Sequence, residues 1–245
     1  MKLSTVLLFT TLVTTSALAF KPHVTHYQLS INGLKIAEEV RTLHQLEDGY
    51  FYTANAQTSG LAALIKDYSI AASSTFRING SGVDSNNYQI MEQEGKQITK
   101  SHTIDINSNS SIVTSTLTKM QPKILTWKTG KGNITDPLNI FLALSYDLKN
   151  SPNQVLFSYQ IADGNSIEQQ DFKKFENQEI SIQGKTYSAI KIERINHQGD
   201  NIQAYFLSEF QYLPILIQQT KKGRQYIYEI TDLNLSNVTG LQVTL

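Results

Sequence analysis

The chain has 245 residues, 21 Lys+Arg against 21 Asp+Glu, and no Cys. With no basic excess to neutralise phosphates, the charge balance argues against nucleic acid as the main partner. Without Cys there is no disulfide, no thiolate nucleophile, no cysteine-ligated metal and no bacterial-type lipidation site.

In chain order, residues 1–19 read as a cleavable secretory signal peptide. The amino terminus and Lys2 supply the positive end. Val6, Leu7, Leu8, Phe9, Leu12 and Val13 supply the apolar stretch, and Ala17-Leu18-Ala19 places small residues at alternate positions. The apolar stretch is shorter than the roughly 20 residues a membrane span needs. Cleavage is expected after Ala19, leaving a soluble, exported chain in the periplasm with no transmembrane segment. No low-complexity linker divides residues 20–245, so a single β-rich domain is expected.

Tyr27–Ile31 alternates and ends at Asn32-Gly33, a hairpin signal. Leu34–Leu43 and Tyr50–Ala56 continue the meander around Glu47-Asp48-Gly49. Gly60–Asp67 reads as one or two helical turns with Leu61, Leu64 and Ile65 on one face. Strands are expected at Ile70–Ile78, Tyr88–Gln93, Lys96–Ile106, Ile112–Thr118 and Ile124–Lys128, with Asn79–Asn87 a polar loop. The main helix is expected near 137–149. Thr135 or Asp136 would cap it, Pro137 would take its first position, and Ser151-Pro152 would stop it. Its apolar residues cover much of the circumference, which suits a helix packed against a sheet. Strands follow at Val155–Ile161, Phe172–Ile182, Thr186–Ile195, Ile202–Glu209, Ile215–Thr220 and Tyr226–Leu233. The expected fold is mainly β: an antiparallel meander forming a closed or half-open barrel, or two packed sheets, with that one main helix.

From Thr135 to Asp232 the sequence resembles a bacterial exported-protein family known as domain of unknown function 3108. The residues that carry the likeness are Asp136-Pro137-Leu138, Asp163-Gly164, the Ile180–Ala189 segment with its Gly-Lys-Thr turn, and Ala204–Ile217 with its Tyr-Leu-Pro step. Tyr27, Gly33 and Asp48-Gly49-Tyr50 extend it toward the N-terminus. The likeness implies an envelope or periplasmic location and an antiparallel β architecture, and no established activity. Members often carry a Trp near the start of the Ala204 segment. Tyr205-Phe206 stand there here, and the sole Trp is Trp127.

Catalytic and metal signatures are sparse. His23 and His26 lack the carboxylate or further His of an ordinary metal site. No G-x-S-x-G occurs, and Gly130-Lys131-Gly132 lacks the spacing of a phosphate loop. Glu38 and Glu39 are consecutive, so on a strand they face opposite sides and read as solvated charge. Asp136 reads as a helix cap. Asn79, Asn109, Asn133, Asn234 and Asn237 each begin an N-x-Ser/Thr pattern of the kind that arises by chance in an Asn/Ser/Thr-rich chain. No catalytic residue, metal ligand or cofactor is therefore assigned.

The aromatic strand faces are the most suggestive feature. Phe157, Tyr159, Tyr205, Tyr226 and Tyr228 are the candidate ligand-binding residues, with Phe206, Phe210 and Tyr212 beside them. The expected function is a non-enzymatic binding or chaperone-like protein for an envelope component, either a lipid or a glycan. The alternatives are an envelope glycan or peptide hydrolase and a structural assembly factor that binds through an open sheet edge.

Overall fold

The computed structural model describes residues 20–107, 110–118, 123–130, 132–196 and 200–232. The leader expected over 1–19, His197, and the acceptor patterns at Asn109, Asn234 and Asn237 lie outside the described residues.

The first eight strands are β1 (His23–Ile31), β2 (Leu34–Leu46), β3 (Gly49–Thr58), β4 (Tyr68–Asn79), β5 (Gly82–Glu94), β6 (Gln97–Asn107), β7 (Ile112–Thr118) and β8 (Lys123–Lys128). A short helix α1 (Gly60–Ile65) joins β3 to β4. After β9 (Ile134–Thr135) comes the main helix α2 (Ile140–Asn150). The remaining strands are β10 (Leu156–Ala162), β11 (Ile167–Ile182), β12 (Lys185–Ile195), β13 (Asn201–Leu207), β14 (Leu213–Lys221) and β15 (Arg224–Ile230).

All of them join one sheet in the order β8-β7-β6-β5-β4-β3-β2-β1-β15-β14-β13-β12-β11-β10-β9. Two meanders, β1–β8 and β10–β15, meet where β1 pairs with β15. β8 and β9 are free edges, so the sheet curls without closing. The Gln183 side-chain amide donates to the carbonyls of Ile230 (3.2 Å) and Thr231 (2.7 Å). That contact draws the β11–β12 hairpin against the end of β15.

Local sequence explains the hairpins. Asn32-Gly33, Gln183-Gly184 and Lys222-Gly223 each carry two consecutive positive φ values. That is the turn which matches strand twist, and it favours Gly at its second position. Alternation sets the inner face: His23, Thr25, Tyr27 and Leu29 of β1 are buried, while His26 is exposed.

Helix α2 lies inside the curl. Leu142 and Ala143, with Leu138 just before the helix, pack with Leu43, Tyr52, Phe76 and Ile104 of the first meander. Ile140, Leu144 and Leu148 pack with Phe157, Phe172, Ile192, Phe206 and Ile217 of the second. A helix apolar on most sides needs a partner on most sides. Each fully buried Leu contributes about 1.5–3 kcal/mol, so α2 ties the two meanders together in addition to the β1–β15 pairing.

Three local expectations change. First, α2 begins at Ile140 rather than Pro137, because Asp136 closes a preceding turn by accepting the N–H groups of Leu138 (2.8 Å) and Asn139 (2.9 Å). Second, β9 runs parallel to β10, so the sheet is not wholly antiparallel. Third, the expected loop Asn79–Asn87 is a tight turn followed by strand. Val83 and Ser85 are drawn inward, Ser85 by a 2.7 Å bond to Asp136. The short helix expected at Gly60–Asp67 is present as α1, with its apolar side chains facing outward and none of its residues buried. Among the described residues no helix is long and apolar enough to cross a membrane.

Candidate functional site

Two cavities flank α2, one toward each end of the sheet. The central cavity, about 540 Å³, lies between the meanders beside the N-terminal half of α2. Ile90, Ile140, Phe141, Ile161, Ile202 and Ile217 line its apolar part. Tyr88 and Tyr228 join them, and Lys100, Asp163, Arg194, Asp200 and Lys221 line its polar part.

Arg41 also lines this cavity and is 5% exposed. Its place follows from β2, where Ala37, Glu39, Arg41 and Leu43 share the inner face. Its Nε pairs with Glu39, and the guanidinium lies over the rings of Tyr27 (4.7 Å) and Tyr228 (5.6 Å). Burial works against the Arg41 charge, but Glu39, Tyr52 and Tyr27 overcome it, so the guanidinium stays ionised. Burial, then Glu39, pushes the Tyr228 hydroxyl up to about 12 against the opposing Arg41. Among the described residues the buried Nη1 of Arg41 has no hydrogen-bond partner, and neither does Nε of Arg194 on another wall. A buried donor left in that state costs about 1–3 kcal/mol, more when charged.

Across the cavity, His102 meets the β10–β11 turn. Ser115 Oγ donates to the Gly164 carbonyl (2.8 Å). Its one proton is thus committed, so His102 Nε2–H donates to Ser115 Oγ (2.7 Å). That polarity is the reverse of an activated nucleophile, and Ser115 is 1% exposed. The contact pins two elements at the cavity wall. Burial, and then Lys100, hold the His102 imidazole below its ordinary value, with Asp163 opposing.

The second cavity, about 720 Å³, opens beside the C-terminal half of α2. Amides of Asn133, Asn150, Gln154, Gln160 and Gln169 line it, with Tyr146, Tyr159 and Asp147. Tyr159 donates to Asp147 at 2.6 Å. Burial raises the Asp147 carboxyl above its usual range despite that bond. Among the described lining residues Asp147 is the one carboxylate, whereas sugar cleavage by the common route uses two.

Asp136 is sealed inside the protein at 0% exposure. Its Oδ2 accepts from Ser74 (2.6 Å), Ser85 (2.7 Å) and Asn139 (2.9 Å). Burial raises its carboxyl and these bonds pull the other way. Its role is to cap the turn before α2 and to fasten that turn to β4 and β5.

The five aromatic candidates separate. Phe157 is core, packed under α2. Tyr159 lines the polar cavity and Tyr228 the central one. Tyr205 packs against a third cluster with Ile182, Leu207 and Ile215, and Tyr226 is half-buried on β15. Of the residues beside them, Phe206 is core, Phe210 borders the third cluster and Tyr212 packs beneath α2. His23 and His26 point to opposite faces of β1, and His23 Nδ1–H donates to the Lys21 carbonyl (2.9 Å). Among the described residues no group of three His, Asp or Glu could hold a metal ion. Glu39 is not a solvated charge as expected: it is 8% exposed and paired with Arg41, while Glu38 faces outward.

No family model matches this chain, and none of the curated proteins does. Among solved structures it is similar to a β-barrel-like protein of domain of unknown function 1849 from Brucella abortus. That likeness has TM-score 0.57 and 11% identity, and covers 86% of this chain and 96% of the other. At that identity the likeness shows the fold: a β-barrel-like sheet curled around a helix.

Proposed function

We propose that the protein is a non-enzymatic binding protein for an envelope component, and that its central cavity holds an amphipathic anion: an acyl chain ending in a carboxylate or phosphate. The observation that carries this reading is the ionised Arg41 set in the wall of a cavity with an apolar side, with Lys100, Arg194 and Lys221 also on its lining. An anionic headgroup pairs with these cations, and its tail lies against Ile90, Phe141, Ile202 and Ile217. The volume falls within the roughly 300–1,000 Å³ of small-molecule sites. Periplasmic location and membership of the exported family that the sequence resembles belong to the same proposal. N-terminal sequencing of the exported protein tests the location, with Phe20 expected first.

The binding test compares oleate and dodecyl phosphate with dodecyl maltoside, whose headgroup is neutral. The anions bind with micromolar affinity, the maltoside at least tenfold more weakly, and Arg41→Met removes the difference, roughly 1.4 kcal/mol per tenfold. Ile202→Trp, which fills the cavity, weakens all three. Equal binding of anion and neutral detergent by the unaltered protein defeats the reading.

A second reading has its own support. The amide-rich polar cavity suits the hydroxyl groups of a neutral glycan, with Tyr146 and Tyr159 as ring faces. Calorimetric titration with neutral oligosaccharides tests it, and Asn150→Ala weakens any binding seen. Titration without heat at millimolar sugar removes it.

A further inference from the structure

The most exposed aliphatic side chains gather at one end of the sheet, while Val155 (49%) and Leu156 (59%) lie at the other. Leu61, Leu64 and Ile65 on α1 are 80%, 83% and 88% exposed. Leu34 in the β1–β2 turn is 72% exposed, and Ile98, just past the β5–β6 turn, is 57% exposed. Hydrogen bonds join these segments. Ser59 N–H donates to Ile36 O, Gly95 N–H to Asp67 O and Asn32 N–H to Gln225 O, each at 2.9 Å. Lys222 N–H donates to the Asp200 carboxylate at 3.3 Å. Asp200 and Lys221 also line the central cavity. The aliphatic knob and the mouth of that cavity therefore share one end.

Charge is polarised in the same direction although the chain is neutral overall. The turns joined to the knob carry Lys35, Lys66, Lys96, Lys221, Lys222 and Arg224, all exposed. The acids in those turns are Asp67 and Glu94, and Glu94 is already paired with Lys66 at 2.9 Å. Asp163, Glu168 and Asp200 sit at the cavity mouth. The turns at the opposite end carry Glu47, Asp48, Glu209 and Asp232 against Lys21 and Lys185, with Asp48 paired to Arg77 at 3.3 Å.

We propose that this end docks on an anionic lipid surface. The α1 leucines enter the boundary between headgroups and acyl chains, the surrounding cations meet the phosphates, and the mouth of the central cavity faces the bilayer. A lipid surface offers an apolar layer beneath an anionic one, which matches both features of this end together. A second copy of the chain would bring the same cations against themselves across a two-fold axis. The knob also projects on a helix with no buried residue, which suits insertion better than a flat contact. The proposal deepens the reading of the central cavity: it gives the amphiphile a source, while the docking itself stands on the surface alone.

The test is flotation of the chain from Phe20 onward with two vesicle types, pure phosphatidylcholine and phosphatidylcholine mixed with phosphatidylglycerol. Oleate binding is measured in parallel. The protein floats with the phosphatidylglycerol vesicles and does so less as salt rises. The variant with Leu61→Asp and Leu64→Asp, and separately that with Lys221→Glu and Lys222→Glu, loses at least about tenfold in vesicle affinity. The first variant keeps its oleate affinity, because α1 buries nothing. No flotation with phosphatidylglycerol overturns the proposal, and so does unchanged flotation of the leucine variant. A dimer in solution that the leucine variant dissociates overturns it in favour of self-association. Flotation without oleate binding upholds the docking and defeats the cavity reading, so the two failures are distinguishable.

Discussion

Gly164→Ala is the sharpest probe of how the two meanders are held together at the cavity wall. Gly164 sits at φ +89°, where an L side chain is strained, and a Cβ there would lie 1.8 Å from His102 Cε1 and 2.3 Å from Nε2. The ring cannot simply swing away. It is 6% exposed and bonded to Ser115, which in turn donates to the Gly164 carbonyl. Backbone strain costs about 1 kcal/mol or more. Loss of the two hydrogen bonds costs about 1 kcal/mol each. Residual overpacking adds about 1–3 kcal/mol, for a total of about 5 kcal/mol. In urea denaturation followed by tryptophan fluorescence and circular dichroism, that is a midpoint lowered by about 2 M at a slope between 2 and 3 kcal/mol/M. The decisive measurement is the double-mutant cycle. With His102→Ala the clash is gone, and Gly164→Ala then costs only the backbone term, about 1 kcal/mol. An equal cost in both backgrounds would refute the steric account and leave backbone conformation as the whole effect.

Three further outcomes follow from the same structure. Phe20 is 6% exposed and packs its ring on Tyr50 (5.7 Å) and Phe76 (6.1 Å), so Phe20→Ala lowers unfolding free energy by about 3 kcal/mol in chemical denaturation. Asp136→Asn turns an amide toward groups that donate to the present carboxylate, and costs about 3 kcal/mol, read by the same assay. His102 and His23 are both held below 6.5, chiefly by burial, so below that pH the unfolded chain binds more protons than the folded one. Their contribution is therefore level above about pH 6.5. It falls as pH drops from there toward the depressed folded-state values, and His102→Gln flattens that decline in urea midpoints measured from pH 7.5 to 5.

The fold was largely legible because period-two alternation and two-residue turns are local signals. Tyr27–Ile31 followed by Asn32-Gly33 shows this, as does the β1–β2 register around it. What stayed hidden depends on distant partners. Pairing of β1 with β15 joins residues about as far apart as the described chain allows. Val83 and Ser85 sit in a polar stretch that reads as loop until Asp136 reaches them from another element. The α1 face is the instructive reversal. Leu61, Leu64 and Ile65 have the spacing of a packed helix, and periodicity cannot say whether a partner exists within the chain or outside it.

The site was legible in kind and not in residue. Aromatic strand faces pointed to a sheltered interior, yet Phe157 and Tyr205 fill core while Tyr159 and Tyr228 line different cavities. The missed residue is Arg41, and its signal was present: Glu39 and Arg41 fall at alternate positions between Ala37 and Leu43, which places two charges on the inner face of a strand. Attention to Glu38-Glu39 as neighbours concealed the pairing that mattered, two residues apart.

The open sheet and the buried helix together account for two cavities of unlike chemistry. A closed barrel of this size would need its interior filled or solvated from end to end. Here α2 runs through the middle, and its buried side chains seal the core between the meanders. The two cavities lie beside its two halves. Near its N-terminal half the deeper walls are strand interiors, which supply Ile, Phe and Tyr with the inward Arg41, while strand ends and turns add Lys100, Asp163, Glu168, Arg194, Asp200 and Lys221. Near its C-terminal half the walls are a sheet edge and turns, whose backbone and side chains need polar company, so Asn, Gln and Tyr collect there. The difference follows from topology, and it makes binding of an acyl anion and binding of a neutral glycan separable by single substitutions on opposite ends of one helix. Phe141→Asp should abolish oleate binding, since a carboxylate there repels the headgroup and wets the tail site, while leaving any sugar titration at the Asn150 end unchanged. Loss of both together would mean that the cavities are one, and that α2 does not partition the interior.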